Sequence, residues 1–110
     1  MMIRITILPV FLWLSLAAMT AVAATKQAPS LELPAVGGNV NLVQLEGKVV
    51  YLDFWASWCD PCRESFPWMA EMKEKYQAQG FEVVAVNLDK ERALADKFLN
   101  PMKVNFVVAF

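Results

Sequence analysis

The chain has 110 residues, with 10 Lys and Arg against 11 Asp and Glu, two cysteines, no histidine and 57% apolar residues. A net charge of −1 leaves no basic footprint for nucleic acid, and two cysteines with no histidine and no second cysteine pair argue against a closed four-ligand zinc site of N and S ligands within one chain. The apolar fraction is inflated by the N-terminus and does not make this a membrane protein.

Residues 1–24 carry a single charge, Arg4, then an apolar stretch from Ile5 through Ala18 and the small-residue end Ala21-Val22-Ala23-Ala24. That is the pattern of a secretory signal peptide cleaved after Ala23 or Ala24; the alternative is an uncleaved anchor that tethers the protein to the inner membrane. The segment holds no cysteine, so a lipid anchor attached through cysteine is excluded. Export implies a periplasmic or otherwise oxidising location. Removing Arg4 takes Lys and Arg from 10 to 9 against 11 acids, a net charge of −2.

Residues 25–110 read as one domain. Thr25–Pro29 is a polar tether. Ser30–Leu33 and Val40–Leu42 flank a turn at Pro34 and Gly37-Gly38, which predicts a small hairpin. After a turn at Leu45–Lys48, the run Val49–Phe54 has the near-continuous apolar character of a strand buried on both faces. From Pro61 to about Gln79, Cys62, Phe66, Met69, Ala70 and Tyr76 fall near helical spacing, and Gly80 is the expected stop. Phe81–Leu88 predicts a second core strand, Lys90–Leu99 a short helix closed by Asn100-Pro101, and Val104–Phe110 a third apolar strand. Strand, helix, strand in that order implies a parallel α/β core with a right-handed crossover.

Both cysteines lie in Trp58-Cys59-Asp60-Pro61-Cys62-Arg63, directly after the first core strand. Haem attachment needs histidine after the second cysteine, where Arg63 stands, and a purely structural bridge usually closes a longer loop. The remaining reading is redox chemistry at the junction of a parallel strand and a helix, where open α/β sheets place their sites. Cys59 at the helix N-terminus faces free N–H groups and the positive end of the dipole, which favour its thiolate. Cys62, one turn in, is expected to be more buried. Cys59 then attacks a substrate disulfide and Cys62 resolves the mixed disulfide. The only group this chemistry requires is the redox-active Cys59–Cys62 pair itself; its partners are protein thiol or disulfide substrates and an upstream electron donor. Two other readings stand beside it: a copper or other soft-metal module in which a partner completes the ligands of both thiolates, and an inert exported fragment.

Asp53-Phe54-Trp55-Ala56-Ser57-Trp58-Cys59-Asp60-Pro61-Cys62-Arg63, with Pro67 in the following helix, resembles the thioredoxin superfamily. The Trp-Ala-Ser-Trp-Cys form, the exported N-terminus and the preceding hairpin look most like the TlpA/ResA group of periplasmic thiol:disulfide oxidoreductases. The resemblance implies a thioredoxin-like fold and mostly reducing roles, cytochrome c maturation among them. Asp53 interrupts an apolar strand, where an unpaired carboxylate is costly unless it stays protonated; the resemblance makes it the acid that exchanges a proton with Cys62. The alternative is an acid that reaches water.

Four neighbours support the pair. Asp60 opposes a Cys59 thiolate electrostatically and Arg63 offsets it, Pro61 fixes the turn between the thiols, and Trp58 offers either a contact surface for partners or packing. Pro67 denies a hydrogen bond to the Arg63 carbonyl and is expected to kink the helix. Trp55, Met69 and Met72 read as core. Family members carry a cis-proline loop facing the cysteines, then two strands and a helix. No proline follows Pro101, so this C-terminal ββα part is expected to be missing and the domain incomplete at its C-terminus.

Overall fold

The computed structural model describes residues 25–110; the signal or anchor assigned to residues 1–24 lies outside the described residues. Two short antiparallel strands come first, β1 (Glu32–Ala35) and β2 (Gly38–Asn41), in register from Glu32↔Asn41 to Ala35↔Gly38. The turn is tighter than the sequence implied, with only Val36-Gly37 outside the strands and Gly37 at φ 84°, a left-handed conformation that favours glycine. Pro34, expected in the turn, sits within β1. Its fixed φ suits extended backbone, and its carbonyl accepts from the Phe110 N–H at 2.8 Å. A 3-10 turn over Leu42–Leu45 follows, started by the Asn41 side chain accepting from the Val43 N–H at 2.9 Å.

Strand β3 (Val49–Trp55) leads into helix α1 (Asp60–Tyr76), and strand β4 (Phe81–Asn87) returns parallel to β3, in register from Val49↔Phe81 to Trp55↔Asn87. Helix α2 (Arg92–Leu99) and strand β5 (Val107–Ala109) complete the described chain, with β5 parallel to β4. The sheet order is β2-β1-β5-β4-β3, so the expected parallel βαβ core and N-terminal hairpin join into one mixed sheet. Helix α1 runs unbroken through Pro67. It tightens into a 3-10 turn at Gln77–Gln79, and Gly80 at φ 84° ends it.

One apolar cluster fills the helix-covered side of the sheet: Trp55 from β3, Cys62, Phe66 and Met69 from α1, Val83 and Ala85 from β4, Ala95 and Phe98 from α2, with Phe106 and Val108. Of the two methionines read as core, Met69 is fully buried and Met72 only partly so. A smaller cluster of Val40, Val84, Val86 and Ala109 lies on the other side. Glu82, buried on β4, is neutralised by Lys73 of α1 at 2.7 Å; a carboxylate there without a partner would be strongly destabilising.

Burial on both faces, predicted for the Val49–Phe54 run of β3, is found instead in β4. Every residue of β4 after Phe81 is buried, because β3 and β5 flank it. Among the described residues β3 is an edge strand paired on one side only, and Val49, Tyr51, Leu52 and Phe54 are exposed. An apolar run reports that a strand is compatible with burial; its neighbours decide whether burial occurs.

Candidate active site

The site is built at the carboxyl ends of two parallel strands. The β3–β4 ladder continues one step past Trp55, whose carbonyl accepts from the Leu88 N–H at 2.8 Å. The chain then turns within three residues: Ala56 is buried, and its carbonyl accepts from the Cys59 N–H at 3.1 Å. Cys59 is the N-cap of α1 with extended backbone (φ −93°, ψ 98°), and no side chain caps the helix there. The Cys59 sulfur thus stands at the positive end of the α1 dipole. Asp60 and Pro61 occupy the first helical positions, and the Cys62 N–H donates to the Cys59 carbonyl at 3.2 Å.

Cys59 and Cys62 are joined in a disulfide with their Cα atoms 5.4 Å apart. The two differ in exposure in the expected sense: Cys59 is half-buried and Cys62 is buried within the main cluster. Beneath them the rings of Trp55, Phe66 and Phe98 pack mutually, with centroids 4.9 to 5.4 Å apart. This floor holds the first turn of α1 against both α2 and the end of β3. Trp58 stands out from it, 74% exposed beside Cys59, a position that suits contact with a partner.

Asp60 is exposed. Arg63 lays its guanidinium over the Phe98 ring at 4.3 Å from the centroid and forms no ion pair; those found among the described residues are Lys73–Glu82 and Arg92–Asp96. Asp53 lies two residues before Trp55, on the α1 side of β3 by strand alternation. It is half-buried, and its Oδ2 is enclosed without a hydrogen-bond partner. Burial pushes its carboxyl above the usual range, and a hydrogen bond from the Phe54 backbone offsets this only in part.

Sequence reading missed Ser57, Asn87 and Asp89. The carboxylate of Asp89, just past β4, accepts from the Ser57 N–H at 2.9 Å and the Ser57 hydroxyl at 2.7 Å. Asn87 holds the same carboxylate through its side-chain amide at 2.8 Å, and the Asp89 N–H donates back to Asn87 Oδ1 at 3.0 Å. The available signal was positional: a polar Asn-x-Asp at the carboxyl end of the strand next to β3. Among the described residues no group of three or more His, Cys, Asp or Glu is arranged to hold a metal ion, so a soft-metal site would need a partner's ligands.

A strand that ends in Trp-Ala-Ser-Trp-Cys, a helix that starts at the first of two cysteines and a disulfide between them are features shared with known proteins, and residues 24–110, the whole of the described chain included, match the AhpC/TSA family. The chain belongs to the AhpC/TSA family. Within the reach of that family, it is 36% identical over 89 residues to the thiol-disulfide oxidoreductase ResA of Bacillus subtilis, covering 80% of this chain and 50% of ResA. It is 38% identical over 86 residues to ResA of Oceanobacillus iheyensis, covering 74% and 45%.

Among solved structures, a Chlorobium tepidum protein assigned as the thiol:disulfide interchange protein DsbE superposes with a TM-score of 0.75 at 56% identity, covering 77% of this chain and 60% of that one. A thioredoxin-family thiol:disulfide interchange protein of the same organism gives 0.72 at 25% identity, covering 82% and 63%. The fold is thioredoxin-like. The chain spans about half the length of the curated relatives it matches. No helix among the described residues is long and apolar enough to cross a membrane.

Proposed function

We propose that the chain is a thiol:disulfide oxidoreductase that reduces disulfides of exported proteins through a Cys59/Cys62 dithiol-disulfide cycle. One observation carries the reading: the two cysteines form a disulfide at the uncapped N-terminus of α1, with the first half-buried and the second buried. Likeness to ResA and DsbE, thiol-disulfide proteins by name, supports it. The signal pattern of residues 1–24 supports a periplasmic location, with an inner-membrane tether if it is not cleaved. Cytochrome c maturation is the process that the TlpA/ResA resemblance implies.

In the reduced form the Cys59 thiolate attacks one sulfur of a substrate disulfide, forming a Cys59–substrate disulfide and releasing the other substrate sulfur as a thiolate that takes a proton. Cys62 passes its proton to the Asp53 carboxylate and attacks Cys59 Sγ. The Cys59–Cys62 disulfide forms and the second substrate thiolate leaves. Two electrons have moved to the substrate, and a dithiol donor returns them. Asp53 suits the proton step because burial already brings its carboxyl toward the thiol range, and Trp58 supplies an apolar contact beside the attacking sulfur.

Trapping distinguishes the roles. Cys62→Ser should accumulate a mixed disulfide through Cys59, while Cys59→Ser should accumulate none; the reverse pattern exchanges the two cysteines, and retention of stoichiometric copper without reductase activity would replace the enzyme by a metal module.

A further inference from the structure

We propose that Asp89 is a positioning residue for this reaction: by clamping both donors of Ser57 it holds the Ser57-Trp58-Cys59 segment so that Cys59 stands at the mouth of α1. The inference rests on the reading of Cys59 and Cys62 as the reacting couple.

Ser57 presents its N–H to one carboxylate oxygen at 2.9 Å and its hydroxyl to the other at 2.7 Å. Two bonds to two oxygens fix orientation as well as place. The carboxylate is itself prevented from turning, since Asn87 donates to Oδ2 at 2.8 Å and accepts from the Asp89 N–H at 3.0 Å. Asn87 is buried and lies in register with Trp55 across the β3–β4 ladder. The clamp is therefore anchored in the core of the sheet and closes on the one loop that carries Cys59.

Only Ser57 and Trp58 separate buried Ala56 from the N-cap, and the Cys59 N–H already bonds the Ala56 carbonyl at 3.1 Å. With Ala56 and Ser57 both fixed, Cys59 has little backbone freedom left. Releasing Ser57 frees the cap residue of a helix that no side chain caps, and a thiolate gains from the positive end of the helix dipole only while it is held against it.

Charge and position act in opposite directions here, which makes the idea testable. A negative carboxylate near a thiolate disfavours it, so losing the charge alone lowers the Cys59 pKa; losing the position raises it. In the full chain, kept in mild detergent, Cys59 alkylation is followed against pH in the wild type, Asp89→Ala, Asp89→Asn and Ser57→Ala, at temperatures where each is fully folded by circular dichroism. The wild-type midpoint is expected below the ordinary thiol value of about 8.5. Asp89→Ala should move it upward and slow alkylation at pH 7 by roughly twofold to fivefold, in line with loss of a helix-terminus interaction. Asp89→Asn, which keeps an acceptor for Ser57, should leave the midpoint at or below wild type. Adding Ser57→Ala to Asp89→Ala should change nothing more, because both break the same clamp.

A downward move in both Asp89 variants, or an Asp89→Ala profile in the folded protein that matches the wild type, overturns the positioning role while leaving the redox reading intact. A wild type with two ordinary thiols and no exchange with glutathione overturns that reading, and the role of Asp89 with it.

Discussion

Reduction of the Cys59–Cys62 disulfide is the perturbation that decides the direction of electron flow. A cross-link between residues three apart closes a loop of four residues, and the loop-closure entropy it removes from the unfolded chain is worth about 2 kcal/mol at 25 °C. Reduction gives this up. In return, the Cys59 thiolate gains from the N-terminus of α1, worth about 0.3–1 kcal/mol for a group that still meets water. The oxidised form should therefore be the more stable by about 1–2 kcal/mol, which places the native couple roughly 20–40 mV below the same couple in the unfolded chain. For a small domain with a urea dependence near 1 kcal/mol per molar, the unfolding midpoint should rise on oxidation by about 1–2 M. Paired urea titrations of the full chain, with and without reductant and followed by circular dichroism, measure this directly. A midpoint that is unchanged or lower on oxidation would refute the reasoning: helix-terminus stabilisation of the thiolate would then match or exceed loop closure, and the proposed reducing direction would lose its thermodynamic basis.

Replacing Asp53 by Asn should leave the first attack nearly unchanged and slow resolution, so that the mixed disulfide accumulates in quenched-flow trapping; unchanged resolution would remove Asp53 from proton transfer. The same substitution tests a pH dependence. Because burial raises the folded carboxyl above its unfolded value, the stability that protonated Asp53 contributes is complete below about pH 3.9 and is lost as pH rises through the folded pKa, so the Asn variant should gain on the wild type across that rise. Phe98, 3% exposed and packed on Trp55 at 4.9 Å and Phe66 at 5.4 Å, should cost about 3–5 kcal/mol when changed to Ala; a loss below about 1 kcal/mol would mean that the floor beneath the cysteines is not packed as described. Trp58→Ala, at a position 74% exposed, should leave the urea midpoint in place and lower turnover of protein disulfides more than of a small disulfide, and equal losses on both would argue against a contact surface.

The parts legible in the sequence are those whose signal is local. The start of α1 follows from Cys59-Asp60-Pro61, its end from Gly80, and its buried face from Cys62, Phe66 and Met69, because helical spacing and end residues act within a few positions. The redox pair was legible for the same reason. What was not legible depends on residues distant in sequence. Val49–Trp55 is at least as apolar as Phe81–Asn87, yet among the described residues the first is an edge strand and the second is flanked on both sides, a difference made by β5 pairing with β4. Pro34 looked like part of a turn until Phe110, which closes onto its carbonyl, was in place. Asp89 lies 32 residues from Ser57, and the Asn-x-Asp that contains it marks the site only once β4 is known to lie beside β3.

The edge position of β3 has a chemical consequence, because Asp53 sits on that strand. Its carboxyl is covered from the α1 side, where Tyr51 two residues earlier also packs edge-on against Trp68 with ring centroids 5.6 Å apart, while along the outer edge of β3 the described residues provide no neighbouring strand. Asp53 is thus only half-buried, and desolvation raises its pKa less than it could. A strand or helix laid along that edge would remove the remaining water and carry the carboxyl further toward the thiol range, where proton exchange with Cys62 is best matched. The slowing caused by Asp53→Asn thus measures how dry the site is, and it should be larger in any assembly that covers the β3 edge than in the chain with that edge open. Equal slowing in the two would show that α1 alone sets the protonation of Asp53.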